Sequence, residues 1–176
     1  MSDGSDVQKP RRPKRGLMER MGLVLLNSSV QAMILHRLAH WLHRARIPVL
    51  PDLVRRINIA STGADIHPGT RIGKDVMFVH SVGIVIGEEV VVEDNVDIYS
   101  GVVLGRRGGT REDDGSPHIL YNCVICSGAK VLGPVTVGPH ATVAAGAIVL
   151  DNVPDHGLAV GVPARIVAPE TEDRSC

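Results

Sequence analysis

The run IHPGTRIGKDVMFVHSVGIVIGEEVVVEDNVDIYSGV, residues 66–102, decides the fold. Within it Ile66, Ile72, Phe78, Ile84, Val90, Val96 and Val102 fall six residues apart, with no helical period between them. A second series, Ile119, Ile125, Val131, Val137, Val143 and Val149, keeps the same spacing, and a polar insertion at 105–118, GRRGGTREDDGSPH, separates the two. Small residues recur two positions before many of these rungs, at Ala64, Thr70, Ser100, Ala129, Ala141 and Ala147, where a crowded corner admits little else. Six-residue self-similarity with one aliphatic side chain per unit is the signature of a parallel β-helix. Three units make one triangular coil, and each rung is buried because the neighbouring coils stack on it. An ordinary α/β domain would need helical periods between its strands.

Composition agrees with a narrow, regular interior. Hydrophobic residues make up 44% of the 176 positions but aromatics only 2%, so Val, Ile, Leu and Ala must build the core. One compact domain with extensions suits this length. Nineteen basic residues balance nineteen acidic ones, which argues against a general electrostatic grip on nucleic acid. The basic run KPRRPKR (9–15) falls in a tail, 1–16, that reads as solvated and disordered. No apolar stretch reaches the roughly 18 residues needed to span a bilayer, no signal-peptide pattern is present, and three cysteines suit a reducing compartment. A cytoplasmic location is therefore expected. Cys123 and Cys126 form a lone CxxC that reads as small residues filling repeat positions, and no metal is expected.

Residues 17–60 read as an α-helical segment. In VQAMILHRLAHWLHRARIPVL (30–50), Val30, Ile34, Leu38, Trp41 and Leu42 follow helical spacing. Pro48 and Pro51 end the pattern, and a second short helix covers 52–60. His36, His40 and His43 form a neighbouring stripe, read as polar or subunit-facing rather than metal-binding. Trp41 with Arg37, Arg44 and Arg46 permits weak membrane-surface contact, although burial of Trp41 against the main domain is the preferred reading.

The segments DIHPGTRIG (65–73), VHSVGIVIGE (79–88), GVVLG (101–105), GAKVLGPVTVG (128–138), AAGAIVL (144–150) and GVPARIV (161–167) resemble, in order and spacing, the serine acetyltransferase family of hexapeptide-repeat acyltransferases. The resemblance implies a mainly β protein: a left-handed parallel β-helix over 61–168, preceded by the short helical segment and followed by a tail, 169–176. It implies a homotrimer with active sites between subunits and acetyl transfer from acetyl-CoA to a small hydroxyl acceptor, as in cysteine biosynthesis.

On the matching positions, His80 would be the general base and Asp65 would orient it. Ser127, Gly128 and Ala145 would wall the groove for the pantetheine arm, and Arg165 could meet CoA phosphates. Such chemistry needs an imidazole, because a hydroxyl of high pKa attacks a thioester poorly unless its proton is taken during attack. Register agrees with an outward-facing histidine. His80 lies two residues after the rung Phe78 and so stands off the aliphatic stack, facing out.

The chain departs from the family where the acceptor would bind. Val79 stands where the family has an aspartate, and Asp114, Gly115, Ser116 and Pro117 stand where it has Asp-Arg-His-Pro. Those family residues grip an amino-acid zwitterion, whose charges are costly to desolvate unpaired. Val79, Asp114, Ser116 and His118 are therefore the candidate acceptor residues, with Arg106, Arg107 and Arg111 nearby. L-serine or a related small hydroxyl, a sugar hydroxyl, and a non-catalytic trimeric scaffold remain the three readings. The short N-terminal part and the terminal Cys176, where an isoleucine would be needed for docking, argue against a complex with cysteine synthase.

Overall fold

A computed structural model describes residues 27–108 and 114–167. The readings for the basic tail, residues 17–26, Arg111 and the C-terminal tail lie outside the described residues.

Two helices open the described chain, α1 (Ser28–Arg44) and α2 (Leu50–Thr62). The Asn27 side chain accepts from the backbone N–H groups of Ser29 and Val30 and so starts α1. The first helix stops ahead of Pro48, whereas Pro51 lies in the first turn of α2, where its missing N–H costs nothing. The second helix is thus longer than the sequence suggests, and it ends at Gly63, in the left-handed conformation.

The rest is a parallel β-solenoid of two- and three-residue strands. The first coil holds β1 (Asp65–Ile66), β2 (Arg71–Ile72) and β3 (Met77–Val79). The second holds β4 (Val85–Ile86), β5 (Val91–Val92) and β6 (Asp97–Tyr99), and the third β7 (Val103–Gly105), β8 (His118–Ile119) and β9 (Val124–Ile125). β10 (Lys130–Leu132), β11 (Thr136–Val137) and β12 (Thr142–Val143) form the fourth, followed by β13 (Ile148–Val149), β14 (Leu158–Val160) and β15 (Arg165–Val167). Corresponding strands pair coil to coil into three faces: β1-β4-β7-β10-β13, β2-β5-β8-β11, and β3-β6-β9-β12-β14. The last strand, β15, closes the third face antiparallel to β14.

Pairing corrects the six-residue reading. Ile66 aligns with Ile86, Ile72 with Val92, Phe78 with Ile98, and Ile86 with Leu104. The stacked strand residues in the second coil are therefore Ile86, Val92 and Ile98. Ile84, Val90, Val96 and Val102 occupy the corner position two residues earlier, the position of Ala64, Thr70 and Ala129. Ser100 consequently does not belong with those small corner residues. The sequence pattern conceals the slip because both positions are buried and aliphatic here. Its origin is the corner between β3 and β4, which carries two more residues than the equivalent corner between β6 and β7. That longer corner contains His80.

The helices cap the solenoid's first coil, whose outer strand edge would otherwise be unpaired. Arg37 donates to the carbonyls of Ile72 (2.6 Å) and Gly73, and His40 donates from Nδ1 to the Pro68 carbonyl (2.8 Å). This close seating reverses the expected burial of α1. Ala32, His36, Ala39 and Leu42 are buried, while Ile34, Leu38 and Trp41 face outward, Trp41 being 63% exposed. Two alanines permit close approach that large side chains would prevent. The histidine stripe grades from inside to outside along α1: His36 is buried, His40 half-buried, and His43 exposed, where it meets His67 edge-on.

Candidate active site

His80 sits at the lengthened corner with φ of +62°, and it is exposed. Histidine tolerates this left-handed conformation better than most non-glycine residues. The corner is tied to the helical cap. Ser81, fully buried, donates to the Thr62 carbonyl (2.8 Å) and lies 3.0 Å from the Ser28 hydroxyl. The Gly83 N–H donates to the Gly63 carbonyl (3.0 Å) and the Asp65 N–H to the Ile84 carbonyl (2.8 Å). Residues 62–65 and 81–84 are thereby laced side by side, with His80 and Asp65 flanking the lacing.

The Asp65 carboxylate is held by Arg55 of α2, Nε to Oδ1, at 2.6 Å. The hydrogen bond and the carboxylate charge push the Arg55 titration upward against its partial burial. Among the described residues no hydrogen bond joins Asp65 to His80, and Oδ2 has no partner.

Below His80 the same corner descends as a column of left-handed glycines, Gly83, Gly101, Gly128 and Gly146. A Cβ at Gly83 would meet the Gly101 Cα at 3.4 Å, and one at Gly101 would meet the Gly128 Cα at 3.5 Å. Ser127, Gly128 and Ala145 belong to this column, with the Gly146 N–H donating to the Ser127 carbonyl (2.9 Å). Coils spaced about 4.8 Å apart put Ser127 about 10 Å and Ala145 about 14 Å below His80. Arg165 is exposed on β15, opposite Val160.

The acceptor candidates sit elsewhere on the chain. Val79 precedes His80 on β3, but the long loop leaves from the corner between the first and second faces. Asp114 lies 3.4 Å from Arg106, which also pairs with Glu89 (2.6 Å). Ser116 donates to the Glu88 carbonyl (2.7 Å), and His118 Nε2 lies 3.0 Å from Glu93 Oε1. His118 belongs to β8 rather than to the loop proper. Within one subunit, then, the His80 corner and the loop are separated by the width of the first face.

Cys123 is buried and donates to the Gly138 carbonyl (3.0 Å), and burial pushes its thiol up to about 11, as befits a packing residue. Among the described residues no group of His, Cys, Asp or Glu could hold a metal ion, and no helix is long and apolar enough to cross a membrane.

No family model matches the chain. Whole-chain comparison finds serine acetyltransferases. That of Synechococcus elongatus is 40% identical over 147 residues, covering 82% of this chain and 59% of the relative. That of Bacillus licheniformis is 38% identical over 147 residues, covering 82% and 67%. The chain belongs to the serine acetyltransferase family. Solved members of the family superpose closely. The Brucella abortus serine acetyltransferase in complex with coenzyme A gives a TM-score of 0.80 at 39% identity, over 85% of this chain and 60% of that one. Soybean serine acetyltransferase complexed with serine gives 0.79 at 37%, over 85% and 61%. The chain thus spans only about three-fifths to two-thirds of the length of these family members.

Arg55 and Ser81 escaped the sequence reading. Arg55 lies ten residues before Asp65 in a helix where Arg56 adjoins it, and nothing local marks it. Ser81 had a faint signal, as a small polar residue beside His80 where the six-residue frame slips.

Proposed function

We propose that the chain is an acetyl-CoA-dependent O-acetyltransferase acting on L-serine or a related small hydroxyl acceptor. The observation that carries the reading is an exposed imidazole at the lengthened corner between β3 and β4, directly above a glycine-walled column, in a chain of this family. In the proposed reaction neutral His80 takes the acceptor hydroxyl proton as that oxygen attacks the thioester carbonyl. The tetrahedral intermediate collapses, the C–S bond breaks, and the departing CoA thiolate recovers the proton from the imidazolium. Asp65 would fix the ring orientation and balance the imidazolium charge. Ser127, Gly128 and Ala145 would receive the pantetheine arm, and Arg165 the phosphates. The relatives' complexes with coenzyme A and with serine support both ligand classes.

A homotrimer fits this reading, because a neighbouring subunit's loop would have to complete a site that one subunit leaves divided between two corners. Acetylation of a sugar hydroxyl is the second reading. It is favoured by Val79 beside His80 and by the internal partners already taken by Asp114, Ser116 and His118, which leave no evident clamp for a zwitterion.

Thiol release from acetyl-CoA, measured with L-serine beside homoserine, hydroxy acids and sugars, tests both. Saturable release with serine supports the first reading and release only with sugars the second; silence with every acceptor defeats both. His80→Ala should lower turnover about 10²–10⁴-fold while leaving the circular dichroism spectrum and melting temperature unchanged.

A further inference from the structure

We propose that Arg55 is a positioning residue for this site: from the helical cap, its guanidinium holds the Asp65 carboxylate in place for His80. The inference rests on the acetyl-transfer reading. Three observations support it. The Arg55 Nε to Asp65 Oδ1 distance is 2.6 Å, short enough for a charge-assisted hydrogen bond, with both side chains about 30% exposed. Only one carboxylate oxygen is engaged, which leaves Oδ2 for an imidazole. The backbone on either side is fixed as well, since α2 runs into Gly63 and the lacing that binds residues 62–65 to the His80 corner.

The same helix therefore sets where the carboxylate is and how it is turned, while Ser81 sets where the histidine's corner is. Other charges share this neighbourhood. Asp52 lies one turn earlier on α2, and His67, two residues past Asp65, is held below its ordinary titration by burial and partly by Arg55 and His43, with Glu88 opposing. Asp52 competes for the guanidinium only through space, whereas Asp65 is bonded to it.

Arg55 also tempers Asp65. A carboxylate shared with a guanidinium binds an imidazolium less strongly than a free one. Removing Arg55 should both loosen the carboxylate and favour imidazolium.

The test compares Arg55→Ala and Arg55→Lys with the native chain. For Arg55→Ala the expected result is a kcat about tenfold lower, an unchanged KM for acetyl-CoA, and an acidic limb of the pH–kcat profile moved to higher pH. Arg55→Lys should restore most of the rate, and in an Asp65→Asn background Arg55→Ala should cost nothing further. An unmoved pH profile, or an equal loss with and without Asp65, would overturn the proposal.

A fold defect is separated by requiring native melting temperatures; if Arg55→Ala fails this, Arg55→Lys and Arg55→Gln decide. Nitrogen chemical shifts of the His80 ring at fixed pH supply a readout independent of turnover. They should move in Arg55→Ala and not when Asp65 is already Asn. If the native protein transfers acetyl to no acceptor, the functional reading fails, yet these shifts still decide whether Arg55 acts through Asp65 on His80.

Discussion

His36 shows how far one side chain can be bent by its packing. It is 1% exposed between α1 and the solenoid, its Nδ1 has no hydrogen-bond partner, and burial, aided by His40, Arg37 and His67, pulls its titration down to about 3. The unfolded chain would titrate it near 6.5. Below that pH the unfolded state binds a proton that the folded state refuses, so stability falls as the pH drops from about 6.5 toward 3. Urea unfolding at pH 7 and pH 5 should differ by about 2 kcal/mol from this group alone, and His36→Leu should flatten the difference. The sequence placed His36 on a stripe with His40 and His43 but could not say which side of α1 that stripe occupies. Apolar spacing pointed to Ile34, Leu38 and Trp41 as the inner face. What decided otherwise was the closeness of approach that Ala32 and Ala39 allow, a tertiary fact with no local signal. His80, by contrast, was legible as an outward residue because it stands off the aliphatic rungs.

At the scale of the element, the corner between the third and first faces does two things at once. Its glycines adopt φ near +70° and let successive coils stack with no side chain between them, and that same absence of side chains opens the wall beneath His80. Gly101→Ala should therefore destabilise by about 1–2 kcal/mol, read as a lower urea midpoint, because alanine in the left-handed region is strained. Serine at position 127 needs no such protection and should tolerate alanine without loss of stability. The solenoid itself was readable from Ile66 to Val149, since period six leaves few alternatives. Its frame was not fully readable: Ile84 and Ile86 are both buried isoleucines, and only strand pairing tells which of them stacks on Ile66.

For the whole molecule, the solenoid is finished at both ends, by the α1–α2 pair on the first coil and by the antiparallel turn of β15 on β14 at the last. Side-by-side association would use the faces and corners. Sedimentation equilibrium should give three chains per particle, and a particle of one chain should lack activity if a neighbour's loop completes the site. The departure from regular pitch remains the most useful feature of the chain. Gly83 stacks on Gly101 and Val79 aligns with Tyr99, so His80, Ser81 and Val82 fill the space that Ser100 fills alone one coil later. The surplus is a three-for-one insertion whose only buried anchor to the cap among these three residues is Ser81. Replacing those three residues by a single serine should yield a solenoid of uniform turns, intact by circular dichroism, that has lost its reactive projection while keeping the glycine-walled column, and can serve as a blank for acetyl transfer.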